Sequence, residues 1–117
     1  MPKSSTMANT EFRSYDQGEF IFVEGDPGNT MFSILEGKVE IRAHDKTVYI
    51  AGPGEILGEM ALIENKPRSA TVVAKTKCKL AVIDERRFQF LLQQTPMFIT
   101  QILKALADRL RHMNEEK

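Results

Sequence analysis

The chain has 117 residues, of which 42% are hydrophobic and 27% charged, so it is long enough for one domain with a single core. Lys+Arg 16 against Asp+Glu 16 gives a net charge of zero, which argues against a nucleic-acid-binding domain, since such a domain is usually basic. No apolar run approaches the ~18 residues of a membrane span, and residues 1–10 lack the apolar centre of a signal peptide.

The use of cysteine indicates a reducing compartment. Cys78 is the single cysteine, so no internal disulfide can form. It lies in the alternating segment 78–83, where a small core or half-buried residue is the simplest interpretation and a redox role is the alternative. We therefore expect a cytoplasmic protein.

The first two thirds of the chain predict short strands. Residues 1–11 are polar and small and predict a flexible tail, and the ordered part is expected from Phe12. Segments rich in strand-forming or alternating residues then follow, separated by glycine- and proline-rich turns. Their near-regular spacing predicts a β-sandwich or barrel. The predicted strands are 20–23, 31–35, 38–42, 47–50, 70–75 and 79–83.

The last third predicts two helices. Asp84 is a plausible N-cap for a helix over 85–94, and Thr95 precedes Pro96, a residue that suits the first turn of the next helix. Apolar residues in that last helix recur at intervals of three and four and predict one apolar stripe. The stripe either packs on the β-structure or forms a dimer seam, and the two uses can coexist. Its members are Ile99, Ile102, Leu103, Leu106, Leu110 and Met113.

The stretch 58–72 carries the chemistry. Gly58 and Glu59 open a short helix whose first turn offers N–H groups and a positive dipole end. A turn at 65–67 follows, and then Arg68, whose planar guanidinium can grip two phosphate oxygens, with the Ser69 hydroxyl beside it. A phosphate would repel Glu59, so its carboxylate suits a pair of sugar hydroxyls instead. Phosphate, hydroxyls and an apolar wall together describe a nucleotide.

These residues closely resemble the phosphate-binding cassette of cyclic nucleotide-binding domains, the family of the bacterial cAMP receptor protein and the regulatory subunit of protein kinase A. The match runs through 58–62 and 67–72 at the family's spacing. Segments 18–21, 24–26 and 34–39 resemble the glycine-punctuated strands that precede the cassette. The resemblance covers roughly 12–113.

The resemblance implies a mainly β fold with C-terminal helices. The family fold is an antiparallel β-roll, a jelly-roll-like double-stranded β-helix that contains a short phosphate-binding helix and is followed by two α-helices. We expect the domain to span 12–117, with the roll at about 12–84 and the C-terminal helices at about 85–114.

The resemblance also implies the site residues. Gly58 is expected because a side chain there would crowd the ligand, and Met60 and Ala61 would offer backbone N–H groups. The implied ligand-binding set is Gly58, Glu59, Met60, Ala61, Arg68, Ser69 and Ala70. The implied base contacts are Ile41, Val48, Leu57, Arg109, Met113 and Asn114.

The implied function is binding of a cyclic nucleotide, with repositioning of the C-terminal helices as the output. Cyclic GMP-selective relatives often carry Thr after the cassette arginine, whereas this chain has Ser69, which favours cAMP and leaves cGMP open. Catalytic and metal roles are not expected, because an enzyme of the cupin type would need clustered ligands, and His44 and His112 are far apart.

Partners are predicted only in part. The expected partner is a small-molecule cyclic nucleotide, without nucleic acid, and a homodimer through the C-terminal helix is an option. The downstream protein partner is not identified by the sequence. Three alternatives stay open: a cGMP-selective sensor, the sensor half of a larger transcription regulator, and an interaction module that binds no ligand.

Overall fold

The computed structural model describes the backbone of residues 11–115 and the side chains of residues 11–111. The described strands are β1 Glu11–Tyr15, β2 Phe20–Phe22, β3 Thr30–Glu36, β4 Val39–Ala43, β5 Lys46–Ala51, β6 Ile56–Leu57, β7 Thr71–Ala74 and β8 Cys78–Asp84. The described helices are α1 Glu59–Ile63, α2 Glu85–Gln94 and α3 Pro96–Glu115.

The strands form two antiparallel sheets, in the orders β1-β8-β3-β6 and β2-β7-β4-β5. Apart from β4 and β5, which are joined in one sheet, consecutive strands alternate between the two sheets, as in a roll, and the short α1 follows β6. The predicted β-roll with two C-terminal helices is therefore confirmed. Its core is built from the inward-facing aliphatic and aromatic residues of both sheets. The large residues buried most deeply in it are Phe32, Ile34, Val39, Leu57, Val72 and Leu80.

The β4–β5 hairpin sets the register of the second sheet. His44 and Asp45 have φ values of 54° and 65°, the left-handed pair that a two-residue hairpin of type I′ requires. The turn pairs Arg42 with Thr47, and a register shift before the next pair then places Ile41 of β4 opposite Tyr49 of β5. On its other side Ile41 lies opposite Val72 of β7. The hairpin thus brings residues from three strands to one place on the sheet.

The helices begin where the sequence predicts. The Asp84 side chain accepts a hydrogen bond from the Arg87 N–H at 2.9 Å, which caps α2, and α3 begins at Pro96. Both helices pack on a second apolar cluster that joins them to β3, β6 and β8. Its buried members are Met31, Ile56, Ile83, Phe88, Phe98, Ile102 and Ala105.

The predicted apolar stripe on the last helix is not the face that packs on the β-structure. Phe98, Ile102 and Ala105 form the buried face of α3, whereas Leu103 is 63% exposed and Leu110 is 58% exposed. Apolar residues cover a wide part of this helix, and the predicted stripe includes Ile102 of the buried face but not Phe98 or Ala105. Of the predicted stripe, Ile102 is buried, Leu106 is half-buried, and the Met113 side chain lies outside the described residues.

Some predicted boundaries shift. β7 is shorter than the predicted strand 70–75, so Ser69 and Ala70 lie in the loop before it. The predicted flexible tail 1–11 lies outside the described residues except for Glu11, which begins β1. Across the described part of the chain, no helix combines the length and the apolar character that a membrane crossing needs.

Candidate ligand-binding site

A cavity of about 320 Å³ opens on the second sheet, between α1, the loop before β7 and α3. This volume is at the lower end of the ~300–1,000 Å³ typical of small-molecule sites, and the lining is mainly apolar. Every predicted site residue with a described side chain lines it. The lining residues are Phe22, Ile41, Ala43, Val48, Tyr49, Leu57, Gly58, Glu59, Met60, Ala61, Arg68, Ser69, Ala70, Val72, Leu106 and Arg109.

Gly58 turns the chain from β6 into α1. Its φ of 74° is left-handed, a conformation that favours glycine. A Cβ at this position would also lie 2.7 Å from Arg68 Nη1 and 3.3 Å from the Phe22 ring. The structure therefore gives two reasons for glycine here, backbone conformation and the approach of Arg68, in addition to the predicted crowding of a ligand.

Arg68 is a buried cation among neutral acceptors. The residue is 7% exposed, and Nη1 donates to the carbonyl oxygens of Thr30 at 2.8 Å and Gly58 at 3.3 Å. Nη2 donates to the Thr30 hydroxyl at 3.2 Å. Within residues 11–111 no carboxylate forms an ion pair with it. Burial lowers the pKa of Arg68, an effect that the charge of Asp26 partly offsets.

Glu59 is a buried anion with an ionic partner from α3. The residue is 1% exposed, and its Oε2 accepts a hydrogen bond from Arg109 Nη1 at 2.8 Å. Arg109 Nη2 donates to the Ile56 carbonyl oxygen. Arg109 therefore ties the C-terminal half of α3 to α1 and β6. The sequence predicts Arg109 near the ligand, but it does not predict this ion pair.

Three buried polar atoms in this site lack a hydrogen-bond partner among the described residues. They are Glu59 Oε1, Arg68 Nε and Arg109 Nε, and all three residues line the cavity. Buried polar atoms are nearly always paired, so three orphans in one cavity indicate a site that is completed by something else. An acceptor on Glu59 and donors on two arginines suit a ligand that carries both hydroxyl groups and an anion.

Five lining residues were missed by the sequence reasoning: Phe22, Ala43, Tyr49, Val72 and Leu106. The Tyr49 hydroxyl donates to Glu55 Oε1 at 2.7 Å, and burial, together with this hydrogen bond, raises the pKa of Tyr49 to about 12. Finding Tyr49 required the register that sets it opposite Ile41, and no local motif encodes that register. The side chains of Met113 and Asn114, two predicted base contacts, lie outside the described residues.

The family model and the related sequences all identify the same protein family. The family model described as "Cyclic nucleotide-binding domain" matches residues 12–95. The cyclic AMP receptor protein of Thermus thermophilus is 34% identical over an alignment of 109 residues, and the match covers 89% of this chain and 50% of that protein. The cAMP-dependent protein kinase regulatory subunit of Yarrowia lipolytica is 36% identical over 88 residues, covering 75% of this chain and 24% of the subunit.

Solved structures agree with the sequence matches. The c-di-GMP responsive global regulator of Xanthomonas campestris superimposes with a TM-score of 0.83 at 30% identity. The match covers 94% of this chain and 58% of that one. This chain therefore spans half or less of the Thermus and Yarrowia relatives and somewhat over half of the Xanthomonas regulator.

Proposed function

The chain belongs to the cyclic nucleotide-binding domain family, and we propose that it binds cAMP and transmits binding through its C-terminal helix. The observation that carries this proposal is Arg68, a buried guanidinium without an ionic partner in the described chain. A buried charge is costly unless it is paired, so a site that keeps one is suited to a ligand of opposite charge. We expect a binding module and not an enzyme, in the cytoplasm.

The cyclic phosphate is assigned to Arg68. The guanidinium offers a planar set of donors that matches phosphate oxygens and binds them in a charge-assisted way. Its present acceptors, the Thr30 and Gly58 carbonyl oxygens and the Thr30 hydroxyl, are neutral, and Asp26 acts on its charge without forming an ion pair in the described chain. Ser69 lies on the cavity wall beside it and supplies a hydroxyl donor.

The ribose is assigned to Glu59. Its Oε1 has no partner in the described chain, and a carboxylate oxygen accepts hydrogen bonds from hydroxyl groups. The base would then lie along the apolar side chains of Ile41, Val48 and Leu57, which line the same cavity. Ser69 after the cassette arginine and the name of the Thermus relative favour cAMP over cGMP.

The output is assigned to α3. Arg109 and the ribose would share one carboxylate, because Arg109 holds Oε2 of Glu59 and the ribose hydroxyls would use Oε1. A ligand that fixes Glu59 therefore favours the arrangement in which α3 is docked. This gives the ligand a differential affinity for two positions of the helix, which is what a switch requires.

Calorimetric titration tests the proposed ligand. The purified chain, at about 100 μM, is titrated with cAMP, with cGMP and with c-di-GMP, and we expect one cAMP per chain with a weaker response to the other two. A response to cGMP alone would move the proposal to that nucleotide. The absence of both heat and a melting shift with all three would overturn it.

We also propose a homodimer through the exposed face of α3. Ile99, Leu103, Leu106 and Leu110 follow one another at intervals of four, three and four, the spacing of a coiled-coil seam. Leu103 and Leu110 are more than half exposed, and so is Met97 at 69%. A second copy of this helix would cover an apolar surface that is otherwise in contact with water.

Sedimentation velocity tests the dimer. We expect a concentration-dependent dimer for the unmodified chain and a monomer for Leu103→Glu, because a carboxylate in an apolar seam is costly to bury. Gln101→Glu is the matched control, since Gln101 is exposed on the same helix and lies outside the seam. A monomer at all concentrations, for all three chains, would contradict the dimer.

A further inference from the structure

The Arg68 guanidinium lies against an aromatic ring. Its Cζ is 4.2 Å from the centroid of the Phe22 ring and 5.9 Å from that of Phe32. The two rings are themselves stacked, with centroids 6.1 Å apart and an interplanar angle of 27°. Phe22 also lines the cavity, so its ring is part of the site and not only of the core behind it.

Gly28 also lies against the guanidinium, and together with the Phe22 ring it forms a narrow slot that holds the end of the Arg68 side chain. A Cβ at Gly28 would lie 2.3 Å from Arg68 Nε and 2.5 Å from Cζ, far inside contact distance. Gly28 is not among the glycines with a positive φ, so backbone conformation does not favour glycine here, but a side chain at this position would displace the Arg68 guanidinium. The turn that carries Gly28 is fixed to Arg68 by two backbone hydrogen bonds of 2.8 Å, through Gly25 and Asp26.

We propose that Phe22 and Gly28 are positioning residues for the anion site, a role that rests on the proposed binding of a cyclic phosphate at Arg68. An aromatic ring has an advantage over a carboxylate as the neighbour of the Arg68 guanidinium. A carboxylate beside Arg68 would hold the cation but would also repel the phosphate. An aromatic face stabilises the same cation through its quadrupole and leaves the N–H groups to the ligand. Gly28 limits the positions that the Nε–Cζ end can take.

A merely structural role for Phe22 makes a different prediction. Phe22 packs on the main core, so its replacement will change stability in any case. A packing defect would lower the affinity for every ligand of the cavity to a similar extent. Loss of positioning would weaken only the interaction with the anion, and it would alter the surroundings of the guanidinium even when no ligand is present.

The first experiment uses the full chain without ligand. The Arg68 Nε–H signal is followed by ¹H–¹⁵N NMR in the unmodified chain, in Phe22→Leu and in Phe20→Leu. We expect a ring-shifted signal that is lost in Phe22→Leu and kept in Phe20→Leu, because Phe20 is on the same strand but 55% exposed and outside the cavity. A signal that is unchanged in Phe22→Leu would overturn the proposal.

The second experiment measures how much the phosphate contributes to binding. The ratio of cAMP affinity to adenosine affinity is compared for the unmodified chain, Phe22→Leu and Gly28→Ala. We expect the ratio to fall roughly 3- to 30-fold in both variants, the range given by loss of a desolvated cation–π contact. Gly52→Ala is the control, because the nearest atom to its Cβ would be 4.0 Å away and its φ is not positive.

The two experiments separate this proposal from the proposed function. If the unmodified chain does not bind cAMP while the ring-shifted Nε–H signal depends on Phe22, the ligand assignment fails and the slot around Arg68 stands as structure alone. If cAMP binds and the affinity ratio is the same in Phe22→Leu and Gly28→Ala as in the unmodified chain, the ligand assignment stands and the positioning role is overturned.

Discussion

Arg68 and Glu59 are the buried charged residues of the described chain, and they are supported in different ways. Arg68 is surrounded by parts of the β-roll: Thr30, Gly58 and the Phe22 ring. Glu59 has an ionic partner on α3, Arg109. We therefore expect the geometry of Arg68 to be independent of the position of α3. The geometry of Glu59 should change when α3 moves, because its ionic partner lies on that helix.

The largest expected effect concerns Arg68. Arg68→Met should weaken cAMP binding by roughly 2–5 kcal/mol, or about 30- to several-thousand-fold, because the phosphate charge loses its partner. Folding should survive, since Met keeps the apolar part of the side chain. Calorimetry measures the loss, and Arg42→Met is the control, because Arg42 pairs with Glu40 and lies outside the cavity. Affinity equal to that of the unmodified chain would remove Arg68 from the phosphate site.

The next effect concerns the Glu59–Arg109 pair. Arg109→Met would leave a buried carboxylate without its cation, which should cost about 1–3 kcal/mol of unfolding free energy. Glu59→Gln should cost less, because the amide keeps an oxygen that Arg109 can use. Urea denaturation of both single variants and the double variant gives the coupling, which we expect at about 0.5–3 kcal/mol. Arg111→Met is the control, since Arg111 pairs with Asp108 at an exposed site. Strictly additive effects would show that the pair contributes nothing to docking α3.

A smaller effect is expected in the dynamics of α3. Backbone amides at 107–114 should exchange hydrogen faster without cAMP than with it, because the ligand fixes Glu59 and thereby Arg109. The amides of β8, in the middle of the first sheet, serve as the internal reference. Truncation before Arg109 should weaken cAMP binding but leave an affinity that still depends on Arg68. Equal exchange in the two states, with unchanged affinity after truncation, would make α3 a fixed part of the core.

The smallest effect concerns pH. The pKa of Tyr49 is raised to about 12, so between about pH 10 and 12 the unfolded chain loses the phenol proton while the folded chain keeps it. Unfolding then releases a proton, and stability falls as the pH rises through this window. Urea denaturation of the unmodified chain and of Tyr49→Phe measures the effect, and the fall should be shallower in Tyr49→Phe. Identical slopes would mean that burial and the hydrogen bond to Glu55 do not raise the pKa of Tyr49.

The sequence predicts the cassette better than it predicts the parts of the site that come from distant segments. The cassette residues Gly58, Glu59, Arg68 and Ser69 lie within eleven positions of one another, so local spacing was enough to place all four on one cavity. The short strands and the helix starts were likewise predictable, because turns, strand alternation and the Asp84 cap are local signals, whereas the β-roll itself was implied by the family resemblance. Their role in binding stays a prediction.

What the sequence did not predict depends on contacts between distant segments. Glu59 and Arg109 are fifty positions apart, and their pairing follows from the docking of α3. Phe22 and Tyr49 reach the cavity through strand register, which no single motif encodes. The buried face of α3 was not recognised, because 98, 102 and 105 have the same three-and-four spacing as 99, 103 and 106, and spacing alone does not say which set packs on the roll.

The most direct test of the central claim, that Arg68 is kept for the phosphate of a nucleotide, is the affinity difference between cAMP and adenosine on the unmodified chain. The two share the base and the ribose, so the difference isolates the phosphate end. We expect adenosine to bind at least ~30-fold more weakly, in line with the loss of a buried charge partner. Adenosine that binds as tightly as cAMP would contradict the account, because the buried charge of Arg68 would then have no function in binding.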